Sequence, residues 1–94
     1  DWIDAWTVTD RGRWKTPMIT VQHFHASSPF VVVDGGAELE HMGIKLRIEA
    51  PWAVAIHQAE DGIDYAYRPV YHLELVGPLD EAFECTTRFQ RTLT

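Results

Sequence analysis

The stretch ITVQHFH, residues 19–25, follows a period of two, and that period is the strongest constraint in the chain. An extended strand sends successive side chains to opposite faces. Ile19, Val21, His23 and His25 therefore share one face, and Met18, Thr20, Gln22 and Phe24 share the other. Two imidazoles prolong a stripe begun by two β-branched apolar residues. Such a strand is either a metal or acid–base site at the edge of a core, or an ordinary core strand with polar ends.

The same period recurs along the chain, interrupted by turn residues. Residues 5–9 alternate, Asp10-Arg11-Gly12-Arg13 has turn composition, and residues 14–16 are expected to return as the second arm of a hairpin. Phe30, Val31, Val32 and Val33 form a β-branched run suited to a strand buried on both sides. Asp34-Gly35-Gly36 then signals a hairpin. Residues 37–50 are expected to form one long strand with a bulge or bend at Gly43, because the apolar parity switches between His41 and Gly43. Residues 52–57 alternate again, and residues 58–64 are polar and acidic, as in a loop. Tyr71, Leu73 and Leu75 share one face of the next strand, with His72 and Glu74 on the other. Gly77-Pro78 is expected to break the chain, and residues 79–82 to form one helical turn. Phe83, Cys85, Thr87, Phe89 and Leu93 then line one side of the last strand.

Short strands separated by turn signals, with no sustained helical period, predict a mainly β fold. The expected architecture is a small antiparallel β-barrel or β-sandwich of about six to eight strands. A chain of 94 residues makes one domain, residues 1–94. Residues 1–14 are separable within it, as an N-terminal arm or capping hairpin.

Charge and cysteine content exclude several function classes. The net charge is −6, whereas a binder of nucleic-acid phosphates needs a basic surface. No direct nucleic-acid partner is therefore expected. Arg11, Arg13 and Lys15 lie near the start, and Asp34, Glu38, Glu40 and Glu49 lie mid-chain, a layout that could support head-to-tail self-association. The single cysteine, Cys85, rules out an internal disulfide and is expected to be a small buried core residue. No apolar run reaches the roughly 18 residues of a transmembrane helix, and the start lacks the pattern of a secretory signal. A cytoplasmic or virion setting fits, with no membrane partner.

All five histidines, His23, His25, His41, His57 and His72, fall in or beside expected strands. The pair His23-x-His25 places two rings on one strand face, a spacing that suits two ligands of one metal. His57 or His72 on a neighbouring strand could supply a third. His23-x-His25, Gly35-Gly36, Pro51 and His57 together resemble, over about a third of the chain, the cupin family of small β-barrels. That resemblance implies His23, His25 and His57 as ligands of zinc or iron. The acid the family places after the H-x-H pair is absent between residues 26 and 30, and Pro51-Trp52-Ala53 lacks the family's turn glycine. His72 and Glu74 also share a face, as an acid–base pair would. No nucleophile elbow, phosphate loop or paired C-x-x-C motif is present, so an enzyme is not the expected reading.

Trp2, Trp6 and Trp14 crowd the first fourteen residues beside Arg11 and Arg13. Trp and Arg dominate interface hot spots. These five residues form the expected binding surface, unless the aromatic rings instead cap the end of the barrel. The leading expectation is a non-enzymatic protein-binding or assembly module without a cofactor, a small inhibitor or a viral or phage structural subunit. Its partner would be another protein or a second copy of itself. The alternative is a small metal-binding β-barrel resembling cupins, with a histidine-ligated Zn or Fe. A third reading uses Trp and Tyr as stacking platforms for a sugar or small ligand.

Overall fold

The computed structural model describes residues 3–63 and 69–93. Among these residues six strands form one antiparallel sheet: β1 (Asp4–Ala26), β2 (Val31–Val33), β3 (Gly36–His41), β4 (Ile44–Glu49), β5 (Ala55–Ile63) and β6 (Pro69–Leu93). The fold is all-β among the described residues, as expected, but the sheet is not closed into a barrel.

β6 is the spine. β1 pairs with it from Asp4↔Arg91 to Ala26↔Tyr71. On the opposite side β5 pairs with the start of β6 (Ala55↔Val76) and β4 with its end (Ile44↔Leu93). β3 and β2 continue outward from β4. Because β4 and β5 hold different ends of one long strand, the sheet can fold its two parts over a common core. That core joins Phe30, Ala37, Ile48 and Ala50 to Leu73 and Leu75, with Phe24, Trp52, Ile56 and Phe89 packed around it. The alternation of the sequence sets these faces: Leu73, Leu75, Cys85 and Thr87 are buried along one side of β6.

A polar chain crosses beside this core. The Trp52 Nε1 donates to Thr87 Oγ1 at 3.1 Å, and the Thr87 hydroxyl donates to Gln22 Oε1 at 3.4 Å. Gln22 Nε2 in turn donates to Asp10 Oδ2 at 2.7 Å. The buried Thr87 hydroxyl is thereby satisfied on both its donor and acceptor sides.

Several local expectations are corrected. The turn at Asp10 does not form; β1 runs straight through it, and Gly12 lies opposite Phe83, whose ring occupies the space a side chain there would need. The glycine thus makes room for a ring across the ladder instead of turning the chain. Residues 37–50 are a hairpin, not a bulged strand. Met42 and Gly43 take φ of 51° and 79° between the paired residues His41 and Ile44, a type I′ arrangement. The parity switch comes from this reversal of direction. Val31 and Val32 are exposed, so the valine run is an edge strand and not a doubly buried one. β5 begins at Ala55 and extends through residues expected as a loop, while residues 65–68 lie outside the described residues. Gly77, Pro78 and the expected helical turn at 79–82 are all part of β6. The break they signal is a register shift against β1 near Thr20.

The Met42 conformation gives a first prediction. A left-handed residue other than Gly, Asn or Asp costs on the order of 1 kcal/mol, and the Met42 side chain is 88% exposed. Met42→Asn is expected to raise stability by about 0.5–1 kcal/mol, read as a higher midpoint in thermal unfolding. An unchanged or lower midpoint contradicts this turn geometry.

Cys85 gives a second. It is buried, as expected, and faces Asp10 across the ladder. Burial first, and the Asp10 charge second, raise the thiol above its ordinary value of 9.0. The thiol is neutral when protonated, so its contribution to stability is complete below that ordinary value. It is lost as the pH rises through the higher folded value. In the native protein at pH 8, reaction with dithionitrobenzoate should be many times slower than in denaturant. Equal rates would mean that Cys85 is not shielded.

Candidate functional site: the outer face and open edge of β1

β1 is the edge of the sheet: among the described residues it pairs with β6 and with no other strand. Its inner face is the one carrying Gln22 and Phe24. Phe24 packs edge-on against Phe89 at 6.0 Å, and Gln22 enters the polar chain to Thr87. Ile19, Val21, His23 and His25 therefore face outward, all exposed. This corrects the expectation of a core strand: the more apolar stripe looks to solvent, because the inward face is fixed by what Phe24 and Gln22 meet on β6.

Register then assembles the site. His23 stands opposite Glu74, and His25 opposite His72. On the other side of β6, His57 stands opposite Glu74. His23 Nδ1 and His72 Nε2 are 2.7 Å apart, a hydrogen bond in which one ring donates and the other accepts. The His72 ring is nearly parallel to both neighbours, edge to edge with His23 at 4.9 Å and stacked on His25 at 4.6 Å between ring centroids. One donor atom from each of His23, His72 and Glu74 lies within 4.8 Å of the other two. His23 is exposed, and His72 and Glu74 are half-buried.

The structure thus brings His23 and His25 to one face with His72 and Glu74. His57 is in register on that face but is not one of the three converging donors. His72 and Glu74 were visible as a pair in the sequence; their meeting with His23 across 49 residues depends on strand order, which local patterns do not carry. The fifth histidine, His41, lies elsewhere, 2.7 Å from the Ser28 hydroxyl.

Next to the histidines, Val21 faces Val76 and Ile19 faces Leu79, so the outer face turns apolar toward the middle of the ribbon. Ile19 is 55% exposed and Leu79 66%. Residues 18–26 hold no charge, proline or glycine. The preceding residues differ: Arg13, Lys15 and Pro17 coincide with a register irregularity between Arg13 and Met18.

The expected N-terminal binding residues lie along the same strand. Trp6 stacks on Phe89 at 5.5 Å and Trp14 on Phe83 at 5.7 Å, each with an inner ring face covered and more than two-fifths of its surface exposed. Arg11 pairs with Glu84 at 3.5 Å, and Arg13 is exposed. Trp2 lies outside the described residues. Of the mid-chain acids, Glu38 is held by Lys45 and Arg47 at 3.4 and 3.7 Å, and Glu49 by Arg47 at 3.3 Å. Much of the acidic pole required for head-to-tail association is therefore neutralised within the chain.

No protein-family model, curated protein or solved structure matches the chain. Among the described residues no helix is long and apolar enough to cross a membrane.

Proposed function

We propose that the protein is a non-enzymatic binding module that assembles with a second copy of itself through the open edge of β1. The observation that carries this reading is the edge segment 18–26, which holds no charge, proline or glycine and pairs with β6 in unbroken register from Val21 to Ala26. Natural sheets protect their edges with lysine, proline, bulges or short strands, because unpaired backbone groups recruit another strand. β1 has a basic pair, a proline and a register shift at residues 13–17, whereas 18–26 carries only the register shift between Ile19 and Val21.

The segment suits a copy of itself. Antiparallel pairing centred on Gln22 places Val21 beside His23 of the second copy and Ile19 beside its His25. This brings apolar and imidazole groups together with no like charges in contact. Strand addition of this kind gains affinity from main-chain hydrogen bonds, while the outward side chains set the register. Trp6 and Trp14, with Arg11 and Arg13, lie outside the paired segment and add exposed hot-spot residue types on its N-terminal side. A module of this type suits a cytoplasmic or virion setting.

Light scattering on the eluting protein tests the proposal. The wild-type chain is expected at twice its 10.8 kDa mass, and Val21→Lys, which puts a charge at the pairing centre of each copy, at the single-chain mass. A wild-type protein that stays at 10.8 kDa at every concentration overturns it.

A further inference from the structure

The histidine face of β1 and β6 gathers metal-ligating side chains that strand pairing does not require. The geometry points to a divalent metal site of the zinc class, with His23, His72 and the Glu74 carboxylate as its protein ligands. Three observations support it. The donor atoms converge within 4.8 Å before any ion is present. They are two imidazole nitrogens and one carboxylate oxygen, a combination suited to Zn²⁺ with an open fourth position for water. They also project from two strands fixed in register, with the His72 ring hydrogen-bonded to His23 and stacked on His25.

Binding an ion requires all three donors to turn toward a common point. Two nitrogens bound to one tetrahedral zinc at about 2.05 Å lie about 3.3 Å apart. His23 Nδ1 and His72 Nε2 are 2.7 Å apart around a shared proton. An ion entering there parts the two nitrogens by about half an ångström and turns both rings off the line that joins them, while the Glu74 oxygen closes in from within 4.8 Å. The ring that donated that proton takes its other tautomer, losing one proton to solvent and gaining one at its second nitrogen, so no net proton is released. Glu74 brings its own negative charge to the cation. This is not the ligand set that the cupin resemblance implies: the rings point away from the core, the acid comes from β6, and His25 supports His72 by stacking.

Titration calorimetry with ZnCl₂ on the whole chain tests the site, and it counts ions per chain whether or not the protein dimerises. One saturable Zn²⁺ per chain is expected. His23→Ala, at an exposed position, should weaken it at least tenfold with an unchanged circular dichroism spectrum, and Glu74→Gln should weaken it similarly. His41→Ala, beside Ser28, should leave it unchanged. In the wild type, Zn²⁺ should shift the ring resonances of His23 and His72 before those of His41. Absence of saturable binding overturns the proposal. So does binding that survives His23→Ala, or binding that falls equally with His41→Ala.

Discussion

Gly36→Ala is expected to cost at least about 3 kcal/mol, the upper range for overpacking, and to lower the melting temperature by about 12 °C or more. Gly36 begins β3 directly opposite Glu49. A methyl group on it would collide with the backbone carbonyl of Ile48 and crowd the Glu49 Cα. Backbone held in a ladder cannot step aside as a side chain can. The neighbouring hydrogen bond from Ala50 N to Gly35 O, at 2.9 Å, ties the same two segments together, so relief of the clash loosens it too. Gly12→Ala provides the contrast. Its methyl would meet the ring of Phe83, the far end of a rotatable side chain. That ring can swing at the expense of its stacking on Trp14, a loss of about 1 kcal/mol. Thermal unfolding of both variants should therefore show a large drop for Gly36 and a small one for Gly12. Equal midpoints would mean that β3 and β4 do not approach as described.

Leu73→Ala is expected to cost about 2–5 kcal/mol. The Leu73 side chain has 0% exposure in the central cluster, between the strands of both parts of the sheet. Its removal forfeits the transfer energy of the lost carbons and leaves a cavity that a sheet held by two ladders closes poorly. A chain of this length has a total stability of roughly 5–15 kcal/mol, so the loss is a large fraction of the whole. Denaturant unfolding measures it through the midpoint at constant slope. A cost below about 1 kcal/mol would place Leu73 outside the core. Val54→Ala, at a 70% exposed position, should change stability by less than about 0.5 kcal/mol.

The particular residues show which parts of this fold can be read from sequence. Alternation placed Leu73 with Leu75, and Cys85 with Thr87, on common faces, because burial on one side of a strand enforces period two. Asp34-Gly35 marked its turn, because glycine at φ 75° is what the turn requires. Met42-Gly43 escaped, because methionine rarely occupies a left-handed position; only its consequence, the parity switch, was visible. Gly12 misleads for the complementary reason: turn composition around it is local, whereas the ring it accommodates belongs to Phe83, 71 residues away in sequence. The orientation of β1 was likewise hidden. Ile19 and Val21 argue for an inward odd face, and only the contacts of Phe24 with Phe89 and of Gln22 with Thr87 reverse that choice. The site followed the same rule. His23, His25, His72 and Glu74 could each be assigned to a strand face, but their convergence depends on β1 lying beside β6.

Self-assembly through β1 requires that its edge at residues 18–26 accept a second strand. Amide hydrogen exchange, measured at low and high protein concentration, reads that edge residue by residue. Amides of this segment that point away from β6 should become protected as concentration rises in the wild type, and should exchange freely throughout in Val21→Lys. Free exchange of those amides at every concentration in the wild type, with the amides facing β6 still protected, would show an edge that recruits no second copy and would contradict the account.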